Sequence, residues 1–243
     1  MNRIVSQKDT ELQRIKDIII DKLISNMVYV EGGTFKMGSM SDKPGDSFFN
    51  ESPIHMVKIS SFYICRYQVT QEEWEVIMGN NPSRFKGAKC PVELVSWEDC
   101  QIFIKRLNEI TGKDFRLPTE AEWEFVAKGG NFSRGYKYAG SNDINIVAWY
   151  KGNSGGQSHP VGKKAPNELG LYDMSGNVWE WCSDWGGEYG LSCPNNPKGS
   201  LSGLHRINRG GSWRYDAEFC RITLRGNHDP SIRNCNLGLR LAL

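Results

Sequence analysis

Asn167-Glu168-Leu169-Gly170-Leu171-Tyr172-Asp173-Met174-Ser175-Gly176-Asn177-Val178-Trp179-Glu180-Trp181 is the stretch that decides how this chain folds. Small polar residues and glycines alternate in it with large aromatics, and its surroundings share that character. From residue 130 onward the chain reads as mostly loop, punctuated by Trp149, Tyr172, Trp179, Trp181, Trp185 and Trp213. With 26 Gly, 8 Trp and 9 Tyr, the composition points to irregular turns held around aromatic anchors and disfavours a helical bundle. Glycine supplies the unusual backbone angles and the indoles supply buried area. Backbone groups in buried loops need partners, and the many Asn, Ser and Asp side chains are suited to provide them.

Toward the N-terminus regular elements take over. Three helices have start signals: Thr70 with Glu73 at the capping-box position, Ser96 with Asp99 near the dipole, and Thr119 with Glu122, directly after Pro118. The first ends near Met78-Gly79, and the second runs through Phe103 to Asn108. Short strands read at Val28–Val30, Thr34–Gly38, Met56–Ile59 and Phe62–Ile64, with a polar loop from Ser39 to Glu51. Residues 5–27 read as one amphipathic helix, with Leu12, Ile15, Ile18, Ile19 and Leu23 as its apolar face. Residues 1–27 are therefore expected to form a helical extension packed on a single domain, 28–243, uninterrupted by repeat or linker.

Bulk properties narrow the function. The net charge of +2 is spread along the chain without a basic block, so nucleic acid is excluded as a partner. No stretch approaches the roughly 20 apolar residues of a membrane helix. Seven cysteines, Cys65, Cys90, Cys100, Cys182, Cys193, Cys220 and Cys235, form no CxxC and no regular framework, and read mostly as buried thiols. Met1-Asn2-Arg3-Ile4 leads into charged residues without a signal-peptide core. That fits a cytoplasmic protein, or one whose leader lies outside this sequence.

Beyond the opening stretch, several segments fall in a familiar order: Tyr29–Ser39 (YVEGGTFKMGS), Glu51 with Pro53 and Val57, Tyr67–Trp74 (YQVTQEEW), Pro91–Trp97 (PVELVSW), Arg116–Glu124 (RLPTEAEWE), Arg209–Trp213 (RGGSW) and Gly238–Arg240 (GLR). From about Val28 to the C-terminus the chain resembles the formylglycine-generating-enzyme, or sulfatase-modifying-factor, domain family. The resemblance implies an α+β chain with a C-type lectin fold of that family's type: small twisted antiparallel sheets, few helices and much ordered loop.

Enzymes of the family oxidise a target cysteine with copper held by two cysteines. The motif after Gly-Gly-Ser carries those positions onto Tyr215 and Cys220, so only the second is a cysteine. Cu(I) selects soft thiolates, and a phenol is a hard, mostly protonated substitute. Copper is not expected, and Cys220 reads as a structural thiol. Iron, bound by histidines in a related enzymatic branch, is not expected either, since His55, His159, His205 and His228 form no i, i+4 pair. The resemblance does imply a calcium site through Asp173, Gly176, Val178 and Glu180, with the alternative that Glu180 only hydrogen-bonds nearby loop groups.

The C-terminal segment Phe219–Asn236 (FCRITLRGNHDPSIRNCN) lacks Lys, Gln, Glu, Met and Trp, the composition left when adenines of asparagine codons are randomised. Residues that match the family (Arg209, Gly210, Gly211, Ser212, Trp213, Arg221, Arg225, Pro230, Gly238, Arg240) alternate with the unusual ones. This resembles the variable region of diversity-generating-retroelement target proteins of the treponemal type, here spanning about 207–240. It implies a catalytically inactive, monomeric binding protein for an unknown protein or cell-surface ligand. Its contact surface is expected to comprise Arg214, Tyr215, Asp216, Phe219, Leu224, Gly226, Asn227, His228, Asp229, Ile232, Asn234 and Cys235. Such a role places it at the cell surface, through a lipid anchor on a leader. The alternative function is a formylglycine-generating oxidase with an altered copper site.

Overall fold

The computed structural model describes residues 2–39, 51–190 and 194–243, with backbone alone for residues 2–10 and 12. Residues 40–50 of the expected Ser39–Glu51 loop, and Cys193, lie outside the described residues.

Helix α1 covers Asn2–Ser25 and is followed by β1 (Met27–Val30) and β2 (Gly33–Met37). Strands β3 (His55–Ile59) and β4 (Phe62–Cys65) return antiparallel, β3 on β2 and β4 on β1. His55, Val57 and Ile59 point inward from β3 while Met56 and Lys58 face solvent, the alternation the sequence displays. Helices α2 (Gln71–Met78), α3 (Trp97–Thr111) and α4 (Glu120–Ala127) each begin with the expected capping box: Thr70 with Glu73, Ser96 with Asp99 and Thr119 with Glu122. Gly79 and Gly112 stop α2 and α3 in the left-handed conformation, at φ 78° and 66°.

Two expectations need correction. The face that α1 buries is formed by Ile20 and Leu23, with Ile24 and Met27 beside them. Ile15 and Ile18 are 44% and 58% exposed. At about 100° per residue they fall on the side of the helix away from Ile20 and Ile24, and among the described residues the last turns of α1 share a core cluster with Trp74 and Ile77 of α2. The region beyond residue 130 is also more regular than it reads. It contains a four-stranded sheet, β7-β6-β5-β8, of β5 (Trp179–Trp185), β6 (Arg206–Arg209), β7 (Arg225–His228) and β8 (Leu237–Leu239). β8 runs parallel to β5, and the other pairings are antiparallel. Trp179 to Cys182 are buried on both faces of β5, so the period of two that marks a half-buried strand is absent.

The remaining loops are held as the composition suggests. Asn167 accepts from the amides of Leu169 and Leu171 and donates to the Val126 carbonyl, while Asn177 bonds both main-chain groups of His159. Two apolar clusters flank the four-stranded sheet. One joins Trp74, Phe103, Trp181, Leu237 and Leu239, the other Val57, Ile59, Trp123, Phe125 and Leu171. No helix among the described residues is long and apolar enough to cross a membrane.

Candidate ligand-binding cleft

Registers in the C-terminal sheet sort its side chains into two sets. Glu180 stands opposite Arg209, and Arg209 opposite Arg225. One residue along, Trp181 stands opposite Asn208, and Asn208 opposite Gly226. The first set is buried among charges. Arg240 grips Glu180 through two bonds of 2.8 and 3.0 Å and also donates to the carbonyls of Cys65, Arg66 and Tyr172. Arg225 holds Glu120 at 2.6 and 2.7 Å, and Arg209 pairs with Glu124. Burial alone would raise the Glu120 carboxyl, but Arg225 and Arg209 override it and hold the group below its ordinary range.

Asn208 and Gly226 of the second set floor an open cleft of about 570 Å³, while Trp181 is buried in the core beside it. Seven of the twelve expected contact residues line it: Tyr215, Phe219, Gly226, Asn227, His228, Asp229 and Ile232. Trp179, His205 and Asn208 complete the lining. Trp179 meets Tyr215 edge-on with ring centroids 6.0 Å apart, and Tyr215 meets Phe219 at 5.2 Å. Asn208 Nδ2 lies 2.8 Å from His228 Nδ1. Burial pulls the His228 imidazole below its usual range, with His205 adding to the effect. Nothing local distinguishes the three missed residues. Trp179 reads as a core aromatic, and His205 and Asn208 carry no motif.

Other expected contact residues do not join the cleft. Arg214 and Asp216 are exposed outside it, with Asp216 paired to Lys151 at 3.1 Å. Asn234 and Cys235 are half-buried and engaged through their carbonyls, which accept from the Leu94 amide and the Trp213 indole. Leu224 is a core residue at 4% exposure, packed in the apolar cluster that also holds Trp179, Trp181 and Leu239. Gly226 is buried in the cleft floor, where an added Cβ would lie 2.2 Å from Asn208 Oδ1. Tyr215 and Phe219 are half-buried and pack against the main core as well as lining the cleft.

The metal expectations can be tested on the donors. Glu180 receives four donors: Gln68 and Arg240 on Oε1, Trp123 and Arg240 on Oε2. A carboxylate offers about four lone-pair sites, so none remains for calcium. The amide Nε2 of Gln68 also takes the Val178 carbonyl at 2.8 Å and that of Asp173 at 3.3 Å. Of the expected calcium set, the Val178 carbonyl and the Glu180 carboxylate thus bond a neutral amide beside a guanidinium, while Asp173 Oδ1 is buried without a hydrogen-bond partner. Asp173 itself accepts from the Gly162 amide, and burial pushes its carboxyl up to about 6. Cys220 is fully buried, which pushes its thiol up to about 12, a protonated and poorly ligating form. Tyr215 occupies the companion position.

Residues 20–243 match the model of the sulfatase-modifying factor enzyme 1-like domain. The chain belongs to that family. The chaperone protein LppX of Paenibacillus barcinonensis is 35% identical over 89% of this chain and 88% of its own length. The serine/threonine-protein kinase pkn1 of Chlamydia pneumoniae is 30% identical over 90% of this chain, which spans 38% of the kinase's length. Among solved structures, Treponema denticola variable protein 1 superposes with a TM-score of 0.80 at 34% identity, covering 89% of this chain and 94% of that one. The α+β architecture is therefore the C-type lectin fold of the sulfatase-modifying-factor type, as the sequence leads one to expect.

Proposed function

We propose that this member of the family is a monomeric binding protein that presents the cleft and its rim to a protein target at the cell surface, without oxidase activity. One observation carries the reading: seven of the twelve residues expected to vary line one open cleft, while the two copper positions hold a phenol and a thiol buried in the core. Diversification by a retroelement accords with this arrangement, because the cleft residues interleave with arginines whose partners fix the backbone. Similarity to a variable protein supports the same reading.

The competing reading, a formylglycine-generating oxidase, is favoured by family membership. Copper titration in the presence of a cysteine-containing sulfatase peptide separates the two. No Cu(I)-dependent conversion of the peptide is expected, and tight Cu(I) binding with conversion would overturn the binding-protein reading. Surface presentation is checked on cells carrying the native gene, where externally added protease should remove the protein.

A further inference from the structure

The ten residues lining the cleft include no lysine and no arginine. Cationic groups nearby are engaged elsewhere. Arg206 lies between the rings of Trp97 and Trp185, 3.8 and 3.5 Å from their centroids, and Arg233 holds Asp99. The cleft's own carboxylate is Asp229, at the exposed end of β7. Its Oδ1 accepts from the Ser231 amide at 2.9 Å and the Ser231 hydroxyl at 2.6 Å, and those bonds hold it ionised. The rings of Trp179, Tyr215 and Phe219 line the same cleft, with two imidazoles, of which burial pulls His228 below its usual range. Aromatic rings and one carboxylate in a shared cleft attract a cation twice, through the negative ring faces and through the ion pair. Leu204, the chain neighbour of His205, is exposed, and so is Leu201 in the same segment. Apolar side chains held in water in the segment that carries a cleft residue suit the apolar surface of a protein better than a glycan.

We propose that the cleft seats a lysine or arginine side chain of a protein target, with Asp229 as its counter-charge and the Tyr215 and Phe219 rings as its wall. This rests on the cleft being the ligand seat, and the experiment separates the two ideas.

The full chain is titrated with N-acetyl-lysine amide, N-acetyl-arginine amide, N-acetyl-norleucine amide and a methyl hexoside. Binding is followed by NMR at the indole N–H of Trp179, assigned with Trp179→Phe. The lysine and arginine amides are expected to bind about tenfold more tightly than norleucine amide. That preference should shrink in Asp229→Asn and with added salt. Equal binding of lysine and norleucine amides, unchanged by Asp229→Asn, overturns the cation seat and leaves the ligand seat standing. Preference for the hexoside overturns the protein target. Movement of the Trp179 signal by none of the four removes the ligand seat itself. Asp229→Asn changes an exposed side chain, and an unchanged amide spectrum elsewhere verifies its fold.

Discussion

The two faces of the C-terminal sheet differ in what their polar groups have found. On one face Arg209, Arg225 and Arg240 are each bonded to a buried carboxylate, and Glu180 is saturated by four donors. On the other, Asn208 Oδ1 and Trp179 Nε1 are buried without a hydrogen-bond partner, above a cleft open to solvent. Yet the residues of the two sets are chain neighbours: Arg209 follows Asn208, and Gly226 follows Arg225. Because successive side chains of a strand point to opposite faces, Arg209 locks the backbone while Asn208 turns to the cleft. A scaffold built this way can change its presented residues without losing its framework, provided the change stays on the presented face.

The contrast can be broken first at its strongest point. Arg240→Ala leaves Glu180 buried without its counter-charge, and should cost about 3–5 kcal/mol in urea unfolding. A loss under about 1 kcal/mol would mean that the ion pairs are not what fixes this face. Leu224→Ala comes next. Although it lies in the compositionally unusual segment, its core position predicts a loss of about 2–5 kcal/mol, where an exposed residue would lose almost nothing.

A third test uses pH. Asp184 is pushed up to about 7 by burial and, secondarily, by Glu120. The folded state thus keeps its proton up to about pH 7, while an unfolded aspartate releases it near 3.9. Stability contributed by Asp184 is complete below the unfolded value and is withdrawn as pH rises across that window. Asp184→Asn should therefore flatten the fall in stability across it, as read by urea melts at several pH values. An identical pH profile in the variant would show that this carboxyl does not titrate there. The smallest effect sharpens the comparison from the other side: Asn227→Ala and Ile232→Ala, both exposed at the cleft, should each shift stability by no more than about half a kcal/mol. Both should still weaken target binding, and a large loss of stability would turn those residues into core.

Elements closed by near neighbours were legible in the sequence. The capping boxes at Thr70, Ser96 and Thr119 need only a residue and its third successor, and the alternation of β3 needs only a span of five residues. The interleaving of family-matching arginines with unusual residues was also visible, and in the structure Arg209 and Arg225 hold buried carboxylates while Gly226 to Asp229 line the cleft. The N-terminal helix was legible as a helix. Its buried face was not, since Ile15 and Ile20 are equally apolar and only the position of α2 selects between them.

What depended on long-range pairing stayed hidden. Sequence alone determined an α+β family fold, its helix starts and a C-terminal segment in which family-matching residues alternate with compositionally unusual ones. Only the tertiary structure gave each arginine its carboxylate, 60 residues away for Arg240 and 105 for Arg225. It also joined Glu180 to Arg240, drew Leu224 into the core, and brought Trp179, His205 and Asn208 into one cleft with seven of the residues expected to vary. The physical reason is the same in each case. A buried charge or an open cleft is defined by which distant groups surround it, and neither spacing nor composition along the chain carries that information.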